Sequence, residues 1–486
     1  MYVNPFHISL ETLLGVSPML GHRLEDRAGV RAAQERSLVR GWQRASTARL
    51  RNAAQRDFFC VAPLDIMVSE QDGAKQFHVL ELNGTGIGGL TNLSGEAVSC
   101  VLDGLACMAR ALPGADPVVL VAVSGKESAQ TPRLNKLMHE KVLYAEALKR
   151  GFDESGRGAA VCTFPHLLQQ RFHHGRPTIV LGYIKELLEG LELDACGRLM
   201  LAGRPVTAAV NDRFCLNVLQ RFHHRVDMEH FLPMNRCFLA GADKGTAYAL
   251  VNEFLAQSYH RAFAATDFVQ CHDRASLIDT VLRWVRAGKP AVIKPQGTGL
   301  GHGIEFFMDM AEDSHNIVAR IDASLQQTEQ FYGIAGGALP YTVCSYIDAC
   351  TIRKPDHALA GHRFELRVVV YRDGMQLKAF PSIAKVSSEA FDRRQPTHQS
   401  LINNITASAE ATKADGVEFM LPLANRETLD LLDLNVDHLG AVCSFATGWV
   451  RHILDRVQDA PEHFGLPPHR RLALALPAFA MPARVA

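Results

Sequence analysis

Three side chains with oxygen donors are spaced so that one pair of β-strands would bring them together. In the run FHVLELN, Glu81 and Asn83 are two residues apart, so on a strand they point to the same face. The preceding run FFCVAPLDIMV and an Asp-Gly turn predict a β-hairpin over residues 57–84. A hairpin centred on Gly73 places Asp65 opposite Glu81. Such an all-oxygen set is typical of a Mg²⁺ site; the alternative is a solvated face that carries acids for solubility.

A glycine-rich loop between two apolar strands has the composition of a phosphate-binding segment. In AVIKPQGTGLGHGIEFF (291–307), one strand ends at Lys294 and a second resumes at Ile304. Backbone N–H groups of a loop without Cβ atoms can close over phosphate oxygens, and the ammonium can neutralise their charge. A strand follows the loop, so neither a Walker-A loop nor a Rossmann fingerprint fits, and a flexible hairpin loop is the alternative. The glycines are Gly297, Gly299, Gly301 and Gly303.

A second predicted hairpin carries basic residues on a strand with an apolar pattern. FELRVVVYRDG turns at an Asp-Gly pair into MQLKAFPSIAKVSS, which aligns Glu365, Arg367, Lys378 and Lys385 along the sheet. A buried guanidinium needs an anionic partner, and a phosphate or a carboxylate matches its geometry. An acid within the sheet would satisfy Arg367 equally well.

Two adjacent asparagines follow this hairpin. SLINNIT contains Asn403 and Asn404 beside apolar Leu401 and Ile402. Asparagines at such positions are commonly turn or capping residues, so taken alone they indicate a turn.

The elements that must position these residues fall into three units and a tail. A chain of 486 residues predicts two or three domains. The first unit contains a helical pattern over 20–56, the acidic hairpin and an amphipathic helix over 96–112. The second alternates strands and helices at lengths typical of a small, mostly parallel α/β domain. The predicted divisions are 1–114, 115–241, 242–465 and a Pro- and Ala-rich tail at 466–486.

Composition indicates an ordinary globular protein of the cytoplasm. Lys plus Arg and Asp plus Glu both total 51, so charge gives no reason to expect nucleic acid or a membrane as a partner. The sequence shows neither a signal peptide nor a membrane-length apolar run. Eleven cysteines without a Cys-x-x-Cys pair favour reduced thiols. A zinc site is a weak alternative, built from His173, His174, His223 and His224.

Together these motifs resemble the ATP-grasp superfamily, with features similar to tubulin tyrosine ligase-like members. The resemblance implies an α/β and α+β chain: an ATP-grasp fold with a small α/β domain before it. In the usual order the acidic hairpin comes last, whereas here it lies near the N-terminus, which implies a circular permutation. Asp433 and Asn435 offer a second acid-x-Asn pair, in the usual chain position but within a helical pattern.

The resemblance also implies the site and the cofactors. It assigns Mg²⁺ to Asp65, Glu81 and Asn83, and catalysis to Arg367 and Lys294. YTVCSYID resembles the adenine-contacting hinge. The nucleotide-binding residues implied are Lys294, Gln296, Gly297, Thr298, Gly299, Gly301, His302, Gly303, Cys344, Ser345, Tyr346, Ile347, Lys385 and Asn404.

The expected activity is ATP-dependent joining of a small-molecule carboxylate to an amine through an acyl phosphate. Amino acids or small peptides are the expected substrates. Two other functions remain open: a phosphotransferase that uses the same phosphate-binding loop, and a regulator that binds nucleotide without turnover. Whether the protein forms a homo-oligomer also stays open.

Overall fold

A computed structural model describes residues 28–52, 59–87, 95–123, 136–169, 175–222, 225–235, 243–296, 301, 303–332, 339–403 and 419–464. The N-terminal elements are α1 (Ala28–Ala45), β1 (Ala48–Arg49), β2 (Val61–Gln71), β3 (Ala74–Leu82) and α2 (Gly95–Ala111). The middle of the chain forms β4 (Val118–Val123), α3 (Lys136–Glu154), β5 (Ala160–Thr163), α4 (Phe164–Gln169), β6 (Thr178–Tyr183), α5 (Ile184–Gly190), β7 (Leu191–Leu193), β8 (Leu199–Leu201), β9 (Arg204–Val210), α6 (Asp212–Arg221) and β10 (Leu232–Pro233).

The C-terminal elements are α7 (Lys244–Gln257), β11 (Phe268–Cys271), α8 (Arg274–Arg286), β12 (Ala291–Pro295), β13 (Glu305–Phe307), α9 (Ser314–Tyr332), β14 (Tyr341–Ser345), β15 (His362–Asp373), β16 (Gln376–Ala390), α10 (His398–Leu401), β17 (Met420–Pro422), α11 (Arg426–Leu431), α12 (Val436–Asp459) and a 3₁₀ turn (Pro461–Phe464).

The first sheet joins strands from the N-terminal region to strands from the C-terminal region. Its strand order is β1-β16-β15-β2-β3 with β17 beside β16, and all of these pairs are antiparallel. The N-terminal hairpin β2–β3 therefore extends the sheet that β15 and β16 begin. Both predicted hairpins are confirmed. The turn between β2 and β3 is made by Asp72 and Gly73, which both have positive φ, as a two-residue turn requires.

The second sheet belongs to the middle of the chain. Its order is β5-β6-β4-β9-β8-β7, with β10 also beside β9. The strands β5, β6, β4, β9 and β10 run parallel, whereas β7 and β8 add an antiparallel edge. The mostly parallel α/β layer predicted for this region is confirmed. Strand β4 is buried at every position because the inner strands of such a sheet are covered on both faces.

The third sheet holds the predicted phosphate-binding strands. Its order is β11-β14-β12-β13, and every pair is antiparallel. Helices α8 and α9 contact this sheet, and their apolar residues Leu277, Val281 and Ile321 share one core with Ile293 and Val343. The predicted strand–loop–strand arrangement around Lys294 is therefore confirmed.

One large apolar core stabilises the first sheet. Trp449 of α12, Tyr144 of α3 and Val368 of β15 are fully buried in it. Helix α12 contacts β15 and β16, whereas α2 contacts β2, β15 and α3. The helix expected over 20–56 is shorter, because α1 ends at Ala45 and β1 follows; the residues before Ala28 lie outside the described part. No helix among the described residues is long and apolar enough to cross a membrane.

Candidate functional site

A buried network of charges on the first sheet centres on Asp65. Arg367 of the neighbouring strand donates to both carboxylate oxygens of Asp65, with its Nε and NH2 atoms each 2.8 Å away. Lys385 Nζ and Asn83 Nδ2 each donate to Asp65 Oδ2 at 2.9 Å. Burial opposes ionisation of Asp65, but the charges of Arg367 and Lys385 outweigh it and hold the pKa of this carboxyl well below its usual range. Asp65 is therefore an ionised anchor for two cations.

Glu365 brings a second acid to the same network. Its carboxylate pairs with Lys385, which thus bridges Glu365 and Asp65. Burial raises the pKa of Glu365, and the negative charge of Asp65 adds to that effect, although Lys385 opposes it. Lys378, by contrast, lies near the other end of the hairpin and pairs with Asp373 at 2.5 Å. The expectation that Lys378 joins this group is wrong, because it is seven residues along β16 from Lys385.

Glu81 connects this network to the third sheet. It lies directly opposite Asp65 in the register of β2 and β3, as predicted. Its Oε2 is 3.4 Å from Lys244 Nζ, and its side chain is 31% exposed. The Glu81 charge also contributes to raising the pKa of both Lys294 and Arg367, so this carboxylate lies within electrostatic reach of both cations. The stretches around Glu81 and Lys294, more than two hundred residues apart in sequence, are therefore close to each other in the fold.

Helix α7 supports this junction. Asp243 caps the helix by accepting hydrogen bonds from Gly245 N and Thr246 N, so the helix starts at Lys244. One turn later, the Tyr248 hydroxyl accepts a 2.7 Å hydrogen bond from Lys294 Nζ. Burial opposes a charge on Lys294, but Tyr248 and its other neighbours raise the pKa of the ammonium, so it stays charged. Neither Lys244 nor Tyr248 was predicted from the sequence; the Asp-x-Gly-Thr start of this helix is the local signal that points to them.

The described part of the glycine-rich loop is packed closely. Gly301 and Gly303 both have positive φ. A Cβ atom on Gly303 would collide with Thr328 Oγ1, and one on Gly301 would lie 3.1 Å from Ile402. Glycine is therefore required at 303 by both conformation and space. Gln296 follows β12, and its N–H donates to Pro340 O. The other predicted loop residues, Gly297, Thr298, Gly299 and His302, lie outside the described residues.

The predicted hinge borders a small apolar cluster beside Lys294. Cys344 is buried with Tyr248 and Val292, and partly buried Tyr346, Phe268, Ile304 and Phe306 pack against them. Ser345 N donates to Asp267 O, and Tyr346 N donates to Pro290 O. Ile347 follows the end of β14. The hinge therefore offers an apolar surface next to the ammonium, although these two backbone N–H groups are already hydrogen bonded.

Of the two asparagines after β16, Asn403 is the one the structure describes. Asn403 is 6% exposed, and its Oδ1 has no hydrogen-bond partner. The preceding residue, Ile402, approaches Gly301 of the glycine-rich loop. An orphaned buried amide oxygen beside this glycine-rich loop is an acceptor in need of a cation or a donor. Asn404 lies outside the described residues.

The segment after β3 is held by two acids of the middle region. Asp212, the first residue of α6, accepts hydrogen bonds from Thr85 N and from Thr85 Oγ1, the latter at 3.1 Å. Glu140 of α3 accepts from Ile87 N at 2.7 Å, and Ile87 O accepts from Arg367 NH1 at 2.8 Å. Residues 83–87 therefore link the parallel sheet to the buried charges. Neither Asp212 nor Glu140 was predicted from the sequence, because an acid in the first turn of a helix is common and Glu140 is a single acid inside a helical pattern.

Burial changes the acidity of Asp212. It raises the pKa of this carboxyl to about 6, although the hydrogen bonds from Thr85 and the nearby Lys141 ammonium oppose the shift. The backbone beside it must be glycine, because a Cβ on Gly84 would collide with the Asp212 carboxylate. Close approach of backbone to acid thus explains this glycine of the NGTG sequence.

The oxygen donors near Glu81 suit a magnesium ion only in part. Both oxygens of Asp65 are engaged by Arg367, and Oδ2 also accepts from Lys385 and Asn83. The structure therefore departs from the prediction that Asp65 faces a metal directly. Asn83 Oδ1 and the Glu81 carboxylate are the donors of the trio that remain for a cation, and Mg²⁺ typically takes one or two carboxylates together with phosphate oxygens. No group of three His, Cys, Asp or Glu side chains within the described ranges could hold a metal.

The second acid-x-Asn pair of the sequence belongs to the start of a helix. Asp433 pairs with Lys75 at 2.8 Å, and Asn435 caps α12 by accepting from His438 N at 2.8 Å. This acid-x-Asn pair is therefore a helix-start feature, as its apolar pattern indicates. The four histidines of the zinc alternative lie outside the described residues.

Solved structures of two synthetases are similar to this chain. No protein-family model and no curated protein matches the chain. It is similar to a crystal structure described as a putative gamma-glutamylcysteine synthetase from Methylobacillus flagellatus KT, with 13% identity, 90% of this chain and 96% of the other covered, and a TM-score of 0.42. It is also similar to D-alanyl-alanine synthetase A from Vibrio cholerae O1 biovar eltor str. N16961, with 11% identity, coverage of 70% and 82%, and a TM-score of 0.37. At these TM-scores, neither likeness establishes a family or an activity.

Proposed function

We propose that the protein is an ATP-dependent carboxylate–amine ligase that forms an amide bond through an acyl phosphate. The observation that carries this proposal is the position of Glu81, which lies opposite Asp65 in the sheet register and 3.4 Å from Lys244. Its charge also contributes to raising the pKa of both Lys294 and Arg367. Enzymes that transfer phosphoryl groups stabilise the transferring group with Lys or Arg cations and with metal ions held by acids. The third sheet supplies Lys294, and the first supplies Arg367 and Glu81.

Nucleotide binding is assigned to the third sheet. The Lys294 ammonium neutralises charge on the phosphates, and the loop ending at Gly303 covers them with backbone N–H groups. The apolar cluster around Cys344 and Tyr346 contacts the adenine. Tyr248 keeps the ammonium oriented through its 2.7 Å hydrogen bond. Gln296 and the remaining loop residues complete the nucleotide site.

Arg367 stabilises the transferring phosphoryl group and then the acyl phosphate. Three of its N–H groups are occupied, by the two oxygens of Asp65 and by Ile87 O, which leaves two of the five for a ligand. A guanidinium fixed in this way needs no reorganisation when negative charge develops. Asp65 and Lys385 act as positioning residues in this scheme.

Magnesium is assigned to Glu81 and Asn83, and the Asn403 carbonyl oxygen lies on the loop side of the site. When bound, the ion relieves charge between the β- and γ-phosphates. The substrate carboxylate attacks the γ-phosphorus, and ADP leaves. The amine then attacks the acyl carbon, and inorganic phosphate leaves with the carboxyl oxygen. Neither step needs a nucleophile from the protein.

We further propose that this architecture is a circularly permuted ATP-grasp fold. Support comes from the sheet order, in which the N-terminal hairpin β2–β3 lies beside β15 of the C-terminal region. A strand–loop–strand unit with a terminal lysine stands in the other antiparallel sheet. The parallel sheet of the middle region contacts the acidic hairpin through Asp212 and Thr85. That contact favours a substrate site between the parallel sheet and the first sheet.

The test is an ATP-dependent phosphate-release screen against pairs of amino acids and small peptides in the presence of Mg²⁺. Glu81→Gln is expected to abolish release, whereas Glu192→Gln, at an exposed position of β7, should leave it unchanged. ADP formation without inorganic phosphate would identify a phosphotransferase instead. ATP binding without any turnover in the whole screen would favour a regulator.

A further inference from the structure

A polar cavity lies at the opposite end of the β15–β16 hairpin from Glu365. It has a volume of about 480 Å³ and opens between α1, α2, α3 and the hairpin turn at Gly374. Volumes of this size are typical of small-molecule sites. Its charged lining consists of Asp103, Arg110, Arg150, Glu154, Arg372, Asp373 and Lys378. These four cations and three acids leave one positive charge in excess.

The three acids are already engaged by the outer cations. Arg110 pairs with Glu154, and Arg150 lies 2.6 Å from Asp103 and 3.7 Å from Glu154. Across the cavity, Lys378 pairs with Asp373 at the turn. The side chains of Arg110 and Arg150 are 41% and 44% exposed, so these pairs are solvated and can open at little cost.

Arg372 is the fourth cation, and it differs from the others. It is 1% exposed, and no acid within the described ranges pairs with it. Its guanidinium donates to Phe59 O at 3.1 Å and to Gly374 O at 3.4 Å. Its remaining contacts are sulfur atoms, Cys107 Sγ at 3.9 Å and Met108 Sδ at 2.6 Å. A buried cation with neutral partners lowers its free energy when an anion reaches it.

We infer that this cavity binds a small organic anion that carries several carboxylate or phosphate groups. Arg372 is its inner anchor, and Arg110, Arg150 and Lys378 are its outer cations. The site is separate from the proposed ATP site: Arg372 and Arg367 are five residues apart on β15, which corresponds to about 17 Å along the strand. The two guanidinium groups also extend from opposite faces of that strand.

Two cysteines provide a local readout of occupancy. Cys100 and Cys107 line the cavity and are partly exposed, whereas Cys196 is exposed on another part of the molecule. Citrate should slow alkylation of Cys100 and Cys107 by iodoacetamide at least about fivefold, as followed by peptide mass spectrometry. Inorganic phosphate, tested in parallel, shows whether a single anionic group suffices. Sodium chloride at the same ionic strength should give no protection, and Cys196 should react at one rate throughout.

Three variants test whether the protection of the cysteines arises from an anion bound in the cavity. Arg110→Gln removes an exposed cation at the rim, and it should raise the half-protective citrate concentration about tenfold, as expected for a lost charge-assisted hydrogen bond. Arg372→Met should abolish protection, provided that its circular dichroism matches that of the parent. Lys294→Met, which disables the proposed nucleotide site, should leave protection intact.

Two outcomes would overturn the inference. One is the absence of protection by both anions. The other is protection that survives Arg110→Gln but disappears in Lys294→Met, because the anion would then act from the nucleotide site. Neither readout depends on turnover, so the result is independent of the proposed ligase activity.

Discussion

Asp65 and Arg367, 302 residues apart in sequence, face each other across β2 and β15 and form a two-point ion pair. Their side chains are 2% and 9% exposed. Removing one partner of a buried pair leaves the other charge without compensation, whereas an exposed pair contributes little. The pair therefore links the N-terminal hairpin to β15, and we expect it to contribute to the stability of the first sheet.

The first prediction concerns the contribution of this pair to stability. Arg367→Met should lower the free energy of unfolding by about 3 kcal/mol, measured by urea denaturation, because the buried Asp65 carboxylate then keeps only Lys385 and Asn83 as partners. Arg274→Met is the matched control. It breaks a two-point pair with Asp322, at 2.6 and 2.7 Å, whose side chains are 55% and 43% exposed. It should cost at most about 1 kcal/mol. Equal losses in both variants would contradict the role assigned to burial.

The second prediction uses two glycines of the segment after β3. Gly84→Ala should destabilise the protein by about 1–3 kcal/mol and lower ligase activity, because its methyl group meets the Asp212 carboxylate. Gly86→Ala should be tolerated, since the nearest atom to its methyl group is Lys141 Nζ at 3.9 Å. Thermal unfolding and phosphate release would be measured for both. A harmless Gly84→Ala would show that the contact between Asp212 and residues 83–87 is dispensable.

The third prediction is a pH dependence that originates at Asp212. Its pKa is about 6 in the folded protein and 3.8 in a free chain, so the native state binds more protons between these values. The stability contributed by Asp212 is therefore fully present below about pH 4 and is lost as the pH rises through 6. Asp212→Asn keeps an acceptor for Thr85 but cannot ionise.

Between pH 4 and 8, the free energy of unfolding of Asp212→Asn should accordingly rise by up to about 3 kcal/mol relative to that of the parent. Urea denaturation at several pH values measures it. A flat difference for Asp212→Asn would mean that the carboxyl titrates normally.

The fourth prediction separates function from stability at Asn403. Its Oδ1 is buried without a partner, so Asn403→Leu should not lower the free energy of unfolding by more than about 1 kcal/mol. Ligase activity should nevertheless fall at least about tenfold, because the buried amide oxygen lies on the loop side of the proposed metal and phosphate site. Asn435→Leu, which removes the cap of α12, should show the reverse: a loss of about 1 kcal/mol with unchanged turnover. Unimpaired activity of Asn403→Leu would remove this residue from the proposed site.

The pairing of Asp65 with Glu81 shows how far sequence reasoning can reach. A hairpin centred on Gly73 would pair these two residues. The observed turn instead pairs Gln71 with Ala74, so its centre lies between Asp72 and Gly73. A β-bulge between Asp65 and Ile66 restores the pair by inserting one extra residue in β3. Without the bulge Glu81 would point to the other face, because a one-residue slip inverts every side chain. The predicted pair is right, although the geometry assumed for it is not.

Local patterns in the sequence determined the two hairpins, the parallel α/β layer and the strand–loop–strand around Lys294, because alternation and turn residues act over a few positions. Only the tertiary structure decided what the charges do. It turned Asp65 toward Arg367 and Lys385 rather than toward an open metal site, and it brought Asp212 and Glu140 onto residues 83–87. Such partners come from distant strands and helices, and desolvation together with opposite charge selects them only when the chain has folded.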